Sequence, residues 1–218
     1  MHRRDAQPPR HTLRDMATRT LFGAAALAGP SVHATVCSAY FGFKYRAPDP
    51  WGYETRGYEQ RKYSRTLELI GQRDSARVLE VGCGEGVFTH ALAQSGQAHE
   101  ILAIDISRRA LRRARERCSP FAHVRIERWD AFRKPPAGEF DLIVCAEILY
   151  YAGGRIPALA RGLASALARG GRIVLVHPWP ESDLLHAPFR GQPEVVARSE
   201  LVEHDPVRPY ALALFERA

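Results

Sequence analysis

The stretch Val78-Leu79-Glu80-Val81-Gly82-Cys83-Gly84-Glu85-Gly86-Val87-Phe88 constrains the fold more than any other part of the chain. A short run of strand-favouring apolar residues gives way to glycine at every second position, and a helical pattern begins at Val87. This predicts a buried strand, a tight turn and a helix N-terminus. Glycine supplies backbone angles that a Cβ would block and lets a ligand approach bare backbone, while the helix turns its unpaired N–H groups toward that ligand. At the carboxyl end of a parallel sheet this is the geometry of a nucleotide-type cofactor site. The spacing narrows the choice. A dinucleotide loop reads G-x-G-x-x-G, but here Val87 stands where the third glycine would be, which disfavours a nicotinamide-dependent reductase on a related fold.

Strand and helix patterns then alternate. A strand over 100–105 ends in Asp105, 19 residues beyond Gly86, where a carboxylate can accept hydrogen bonds from both hydroxyls of a ribose; Ser107 takes the N-cap of the next helix. That helix, over 108–117, carries six arginines opposite Ala110, Leu111, Ala114 and Cys118, an amphipathic pattern with a solvated basic face. A strand over 123–128 ends at Trp129-Asp130-Ala131, an acid flanked by apolar groups that suits the amine and faces of an adenine. A buried strand over 140–145 opens into Ala146-Glu147-Ile148-Leu149-Tyr150-Tyr151 at the edge where reactive groups collect. After a helix carrying Ile156, Leu159, Leu163 and Leu167, a fifth strand over 172–176 delivers His177 to the same edge. A proline-rich loop through Trp179 and Phe189 and two strands, over 200–205 and 210–216, complete the chain.

Upstream, residues 38–71 are rich in aromatics, and 59–70 has helical spacing with Tyr63, Leu67 and Ile70 on one stripe. These aromatics either cover one edge of the sheet or, through Trp51, Tyr53, Tyr58, Arg61 and Tyr63, cap a cofactor and acceptor. Residues 1–36 read as an extension outside the fold: disordered, a signal-like segment, or an over-long start with Met16 as the alternative first residue. The 218 residues otherwise suit one α/β domain, with no internal repeat.

The formal charge of +7 does not point to nucleic acid, because residues 1–20 hold five arginines against Asp5 and Asp15, and no stacking aromatics interleave the arginines over 108–117. No Asn-Pro-Pro-Tyr-type motif follows the fourth strand, which argues against chemistry on flipped bases. Cys37, Cys83, Cys118 and Cys145 form no C-x-x-C pair, so neither a metal site nor a disulfide framework is indicated, and a reduced cytoplasmic protein fits. No run reaches membrane-spanning length.

Glycine loop, ribose acid, adenine acid, Asp141 opening the fourth strand and Gly170-Gly171 before the fifth occur together over residues 75–178, and in this order the set resembles the class I S-adenosylmethionine-dependent methyltransferases. With Asp49-Pro50-Trp51, Tyr58-Glu59-Gln60-Arg61-Lys62-Tyr63, the 146–151 stretch and Ala213-Leu214-Phe215-Glu216-Arg217, residues 38–217 are similar to the nodulation protein S-like methyltransferases, whose type member methylates the amino group of a deacetylated sugar on a chitin oligosaccharide.

The resemblance implies an α/β, Rossmann-like class I methyltransferase fold: a seven-stranded, mostly parallel sheet with helices on both faces and a C-terminal antiparallel strand. It implies an aromatic N-terminal cap over 37–71, a cofactor-binding core over 72–178 and C-terminal strands with an acceptor loop over 179–218. S-adenosyl-L-methionine is the cofactor it implies, with N- or O-methylation of a small amino sugar or saccharide-type acceptor. Cofactor contacts then fall to Glu80, Gly82, Cys83, Gly84 and Gly86, to Asp105 and Ile106, and to Trp129, Asp130 and Ala131. Cys145, Ala146, Arg61 and Tyr63 complete that set, and Trp51, Tyr53, Tyr58 and Tyr151 face the acceptor. Methyl transfer from a sulfonium needs alignment and desolvation more than covalent catalysis. Glu147, Tyr150 and His177 are the candidates for any base; Glu147 alternatively binds a cationic acceptor, and His177 is alternatively a structural histidine. A cofactor-binding but catalytically idle protein is the other alternative. Between His177 and Ser199 the chain departs from the family's pattern, which leaves the acceptor open, as is the choice between monomer and homodimer.

Overall fold

A computed structural model of the chain describes residues 13–71 and 75–218. Seven strands, β1 (Ser75–Val81), β2 (Ala98–Asp105), β3 (Val124–Arg128), β4 (Phe140–Ala146), β5 (Leu167–Pro178), β6 (Val195–Glu203) and β7 (Tyr210–Arg217), form one sheet in the order β3-β2-β1-β4-β5-β7-β6. The first five are parallel, and β7 inserts antiparallel to both β5 and β6. The order reverses between β1 and β4, so a crevice opens beyond their carboxyl ends.

The strands of the centre are apolar on both sides because helices cover both faces. Val78, Ile101, Leu142 and Val174 pack with Ile70 of α3 (Gly57–Ile70), Leu92 of α4 (Val87–Gln94) and Leu111 of α5 (Arg108–Cys118). The alternate residues Leu79, Ile143, Ile173 and Phe215 pack with Leu159 and Leu163 of α6 (Ile156–Ser165) and Phe189 of α7 (Ser182–Arg190). Each fully buried side chain of this kind contributes about 1.5–3 kcal/mol.

Two expectations are corrected. Residues 13–36 are not an extension outside the fold: they form α1 (Leu13–Leu27) and the first half of α2 (Pro30–Lys44), a hairpin lying over the crevice, while the expectation for residues 1–12 lies outside the described residues. The apolar run that mimics a signal segment is the second half of α1, which buries Phe22 and Ala25 and leaves Leu21 and Leu27 exposed; the Phe22 ring lies 5.2 Å from Tyr40 and 5.1 Å from Tyr151. Gly29, at φ 116°, makes the corner, and Pro30 sits in the first turn of α2, where its missing N–H is no loss. The His33 ring then holds the hairpin down through Nε2 and the Tyr151 carbonyl, 2.8 Å apart.

The second correction concerns the loop after His177. It contains α7, which carries Pro188 inside it, and β6 begins at Val195 rather than at 200. Leu185, His186 and Phe189 recur at helical spacing and are buried, and this apolar stripe outweighs the proline as a signal. The boundary between cap and core, expected at residue 72, lies outside the described residues. No helix among the described residues is long and apolar enough to cross a membrane.

Candidate functional site

The crevice at the β1/β4 switch point holds a cavity walled by the glycine loop, the tips of β2, β3 and β4, and aromatic residues of the N-terminal segment. The loop leaves β1 with Gly82 and Cys83 N–H both donating to the Ile104 carbonyl, at 2.8 and 3.0 Å. Gly84 has φ 55°, and a Cβ there would lie 2.7 Å from the Tyr45 hydroxyl. Gly86, at φ 75°, is the N-cap of α4, and its Cβ would meet Ala114 of α5 at 3.0 Å. In this G-x-G-x-G loop the last glycine therefore does the close helix packing that the third glycine does in a dinucleotide loop.

Behind the loop, Glu80 is buried on the α4 face of the sheet, and its Oε2 accepts the Thr89 hydroxyl at 2.6 Å. Burial raises it to about 7 against that bond, with the Asp105 charge adding to the rise. Asp105 accepts from Gly84 N–H at 3.1 Å and Ser107 N–H at 2.8 Å, tying the loop to the start of α5. Burial lifts it to about 6, although the N–H groups of Ser107, Gly84 and Ile106 pull it down. Asp130 uses Oδ1 to accept from Phe132 and Arg133 N–H, at 3.0 and 3.2 Å, whereas Oδ2 is buried with no hydrogen-bond partner among the described residues. Ile106, Trp129 and Ala131 flank it in the same wall. An acid that holds the loop, an acid with an unsatisfied acceptor and apolar side chains between them match the donors and faces of an adenosyl group.

The opposite end is set by Glu147, just past β4. It has φ 56°, rare for a residue with a Cβ, and its N–H donates to the Val176 carbonyl at 2.9 Å. Its Oε1 accepts from Lys62 Nζ at 2.7 Å and its Oε2 from the Tyr150 hydroxyl at 3.0 Å. Lys62, only 2% exposed, also lies 2.7 Å from Glu59 Oε2, with its ammonium 4.9 Å from the centre of the Tyr58 ring. Burial works against the charge on Lys62, but Glu147 and Glu59 outweigh it and hold the ammonium well above its usual range. Two carboxylates thus face one buried ammonium, which leaves this end with a net negative charge.

Of the residues singled out in the sequence, Glu80, Gly82, Cys83, Gly84, Asp105, Ile106, Trp129, Asp130, Ala131, Ala146, Tyr63, Trp51, Tyr53, Tyr151 and Glu147 meet in the cavity wall. Gly86 supports the loop from beneath. Others lie elsewhere. Arg61 is an exposed surface residue whose Nε and Nη2 donate to Asp205 at 2.7 and 3.0 Å. Tyr58 packs beneath Lys62 against Tyr210. Cys145 is fully buried within β4, where burial pushes its thiol far up, and Tyr150 stands behind Glu147. His177 is fully buried and does not reach the cavity, which corrects its candidacy as a base.

Lys62 and Glu59 escaped the sequence reading because the stripe of Tyr63, Leu67 and Ile70 drew attention from the buried residues of α3, which are Glu59, Lys62, Thr66 and Ile70. One signal was available: with three lysines among 31 basic residues, a lysine at 62 stands out. The basic face of α5 is also not simply solvated. Arg113 donates to the carbonyls of Tyr45 and Ala47, at 3.2 and 3.3 Å, and to Glu85, which in turn accepts from Asp49 N–H at 2.8 Å. Arg109 donates to the Gly42 carbonyl and Arg117 to the Glu85 carbonyl, each at 3.0 Å. Three arginines spaced by four clasp the segment that carries Tyr45, Trp51 and Tyr53. Among the described residues no group of His, Cys, Asp and Glu could hold a metal ion.

The family model described as nodulation protein S (NodS) matches residues 43–178. Nodulation protein S of Bradyrhizobium diazoefficiens is 36% identical over 123 residues, 55% of this chain and 58% of that protein. Its counterpart from Sinorhizobium fredii is 35% identical over 131 residues, 59% of this chain and 60% of the relative. The chain thus spans about three fifths of the length of these curated relatives. The crystal structure of N-methyltransferase NodS from Bradyrhizobium japonicum with S-adenosyl-L-homocysteine superimposes with a TM-score of 0.74 at 22% identity, covering 83% of this chain and 98% of that one. This likeness shows the class I methyltransferase fold, with its seven-stranded mixed sheet and antiparallel C-terminal strand.

Proposed function

The chain belongs to the nodulation protein S family, and we propose that it transfers a methyl group from S-adenosyl-L-methionine to the nitrogen of a small amino sugar or related saccharide-type amine. The observation that carries this reading is the Glu147 carboxylate on the cavity wall, held from behind by the buried Lys62–Glu59 pair: a carboxylate there favours a nitrogen that becomes cationic as it is methylated. The name of the structural neighbour, an N-methyltransferase, supports the same choice of atom.

Asp105 would hold the ribose hydroxyls, Asp130 Oδ2 the adenine amine, and the backbone of Gly82 to Gly84 the remainder of the cofactor. When bound, the cofactor supplies a methyl group already activated on a cationic sulfonium. The work left to the chain is alignment and exclusion of water. Trp51 and Tyr53, stacked with centroids 5.8 Å apart, offer flat faces to a sugar ring. Glu147 already accepts one hydrogen bond on each oxygen, and Lys62 stays protonated beside it. Its remaining lone pairs suit orientation of an amine N–H rather than removal of a proton. The nitrogen arrives unprotonated from solvent, and Glu147 stabilises the charge it acquires. Tyr150 keeps the carboxylate in place from behind.

Paired acceptors test this: glucosamine oligomers and their N-acetylated counterparts, incubated with the protein and methyl-labelled S-adenosylmethionine. Label in the free amines alone is the expected result. Equal labelling of the acetylated sugars, or labelling of simple glycosides and phenols in preference, would contradict it.

A further inference from the structure

The geometry points to His177 as a positioning residue: with its Nδ1 proton given to His186, its unprotonated Nε2 caps the backbone N–H groups of Ile148 and Leu149 and so fixes the turn that presents Glu147 to the cavity. This rests on the role given to Glu147 above. His177 lies at the end of β5, beside the tip of β4, and its Nε2 is 3.3 Å from Ile148 N and 3.2 Å from Leu149 N. Two N–H donors converge on one ring nitrogen, so that nitrogen holds no proton. The proton must then sit on Nδ1, which is 3.0 Å from His186 Nε2 and donates to it. His186, on α7 and 1% exposed, is thereby fixed with its own proton on Nδ1. Burial, with the charge of Lys62 nearby, keeps His177 neutral, and burial, with His177 and Arg190 beside it, does the same for His186.

The capped groups need this acceptor. They begin the short helical turn Leu149–Tyr151, whose first N–H groups have no partner within the turn. Immediately before them Glu147 sits at φ 56°, a strained conformation that persists only where its surroundings over-determine it. Lys62 and Tyr150 fix its side chain, and His177 fixes the backbone that follows. Without the imidazole the buried Leu149 N–H and the part-buried Ile148 N–H lose their partner, and the turn can relax in a way that moves the carboxylate and Tyr150 together.

Nitrogen NMR of the full chain with labelled histidine reads the tautomers without any assay of activity. A pyridine-like Nε2 and pyrrole-like Nδ1 for His177 are expected, and a protonated Nε2 would overturn the assignment. The variants His177→Leu and His177→Gln then test the consequence, since Gln Oε1 can accept from the same N–H groups. His177→Leu should lower kcat by about tenfold or more while the S-adenosylhomocysteine Kd stays within about threefold, and His177→Gln should recover most of kcat. Full kcat in the Leu variant, or a folded Gln variant no better than Leu, would overturn the role. If Leu does not fold, the Gln variant and the wild-type tautomers still decide. A wild-type chain that methylates no amine would instead sink the reading of function, leaving the tautomer result standing or falling alone.

Discussion

Lys62 holds Glu147 at the cavity wall from behind. A lysine 2% exposed is tolerated only because Glu59 and Glu147 each lie 2.7 Å from its nitrogen. Lys62→Met strands two buried carboxylates, and chemical denaturation should show a loss of about 3–5 kcal/mol. Adding Glu147→Gln should recover part of it; a neutral single variant would mean that the group is not the buried cluster described. Titration tests the other acids. Folding raises Asp105 from 3.8 to about 6 and Glu80 from 4.5 to about 7, so for both the protonated form is the one folding favours. Their stabilising contribution is complete below the unfolded values and is lost as pH rises through the folded ones. The unliganded protein should therefore lose stability between about pH 4.5 and pH 7, while S-adenosylhomocysteine binds more tightly over the same range as Asp105 ionises. Unfolding curves and calorimetry at several pH values check both trends, and flat profiles would contradict them.

Among the elements, α5 carries more than its amphipathic pattern declares. Its apolar face is legible in Ala110, Leu111 and Ala114, but a sequence does not say what an arginine meets across 60 to 70 residues of chain. Arg113 holds the loop of Glu85 and the segment of Tyr45 to Ala47 together. Arg113→Ala should loosen this closure and raise the S-adenosylhomocysteine dissociation rate by about tenfold with kcat at saturation little changed, measurable by stopped flow. An unchanged rate would show that the clasp is not what retains the ligand. The α1–α2 hairpin was illegible for a related reason. An alanine-rich run next to arginines satisfies the pattern of a targeting segment as well as that of a helix, and only the contacts of Phe22 and His33 with Tyr151, more than a hundred positions further along the chain, separate the two. Pro188 misled in the same manner, since a proline argues against a helix locally but is outweighed by buried Leu185 and Phe189.

For the molecule as a whole, the sheet was legible because the first four parallel strands end in residues whose chemistry needs that place: Glu80 and the glycines at the end of β1, Asp105 at the end of β2, Asp130 after β3 and Glu147 after β4. The periodicity located these elements, and the switch point between β1 and β4 brings their ends together. What no strand pattern reveals is how the N-terminal segment closes over that edge, which is why Lys62, Tyr45 and Glu85 went unnoticed while the loop and its acids did not. The claim on which everything else depends is that this edge encloses an adenosyl ligand. Calorimetry of the full chain with S-adenosylhomocysteine and, separately, with NADH tests it most directly. One-to-one binding of the first, weakened about 10- to 100-fold by Asp105→Ala, and no binding of the second are predicted. Binding of NADH at equal affinity, or indifference of S-adenosylhomocysteine to Asp105→Ala, would contradict it.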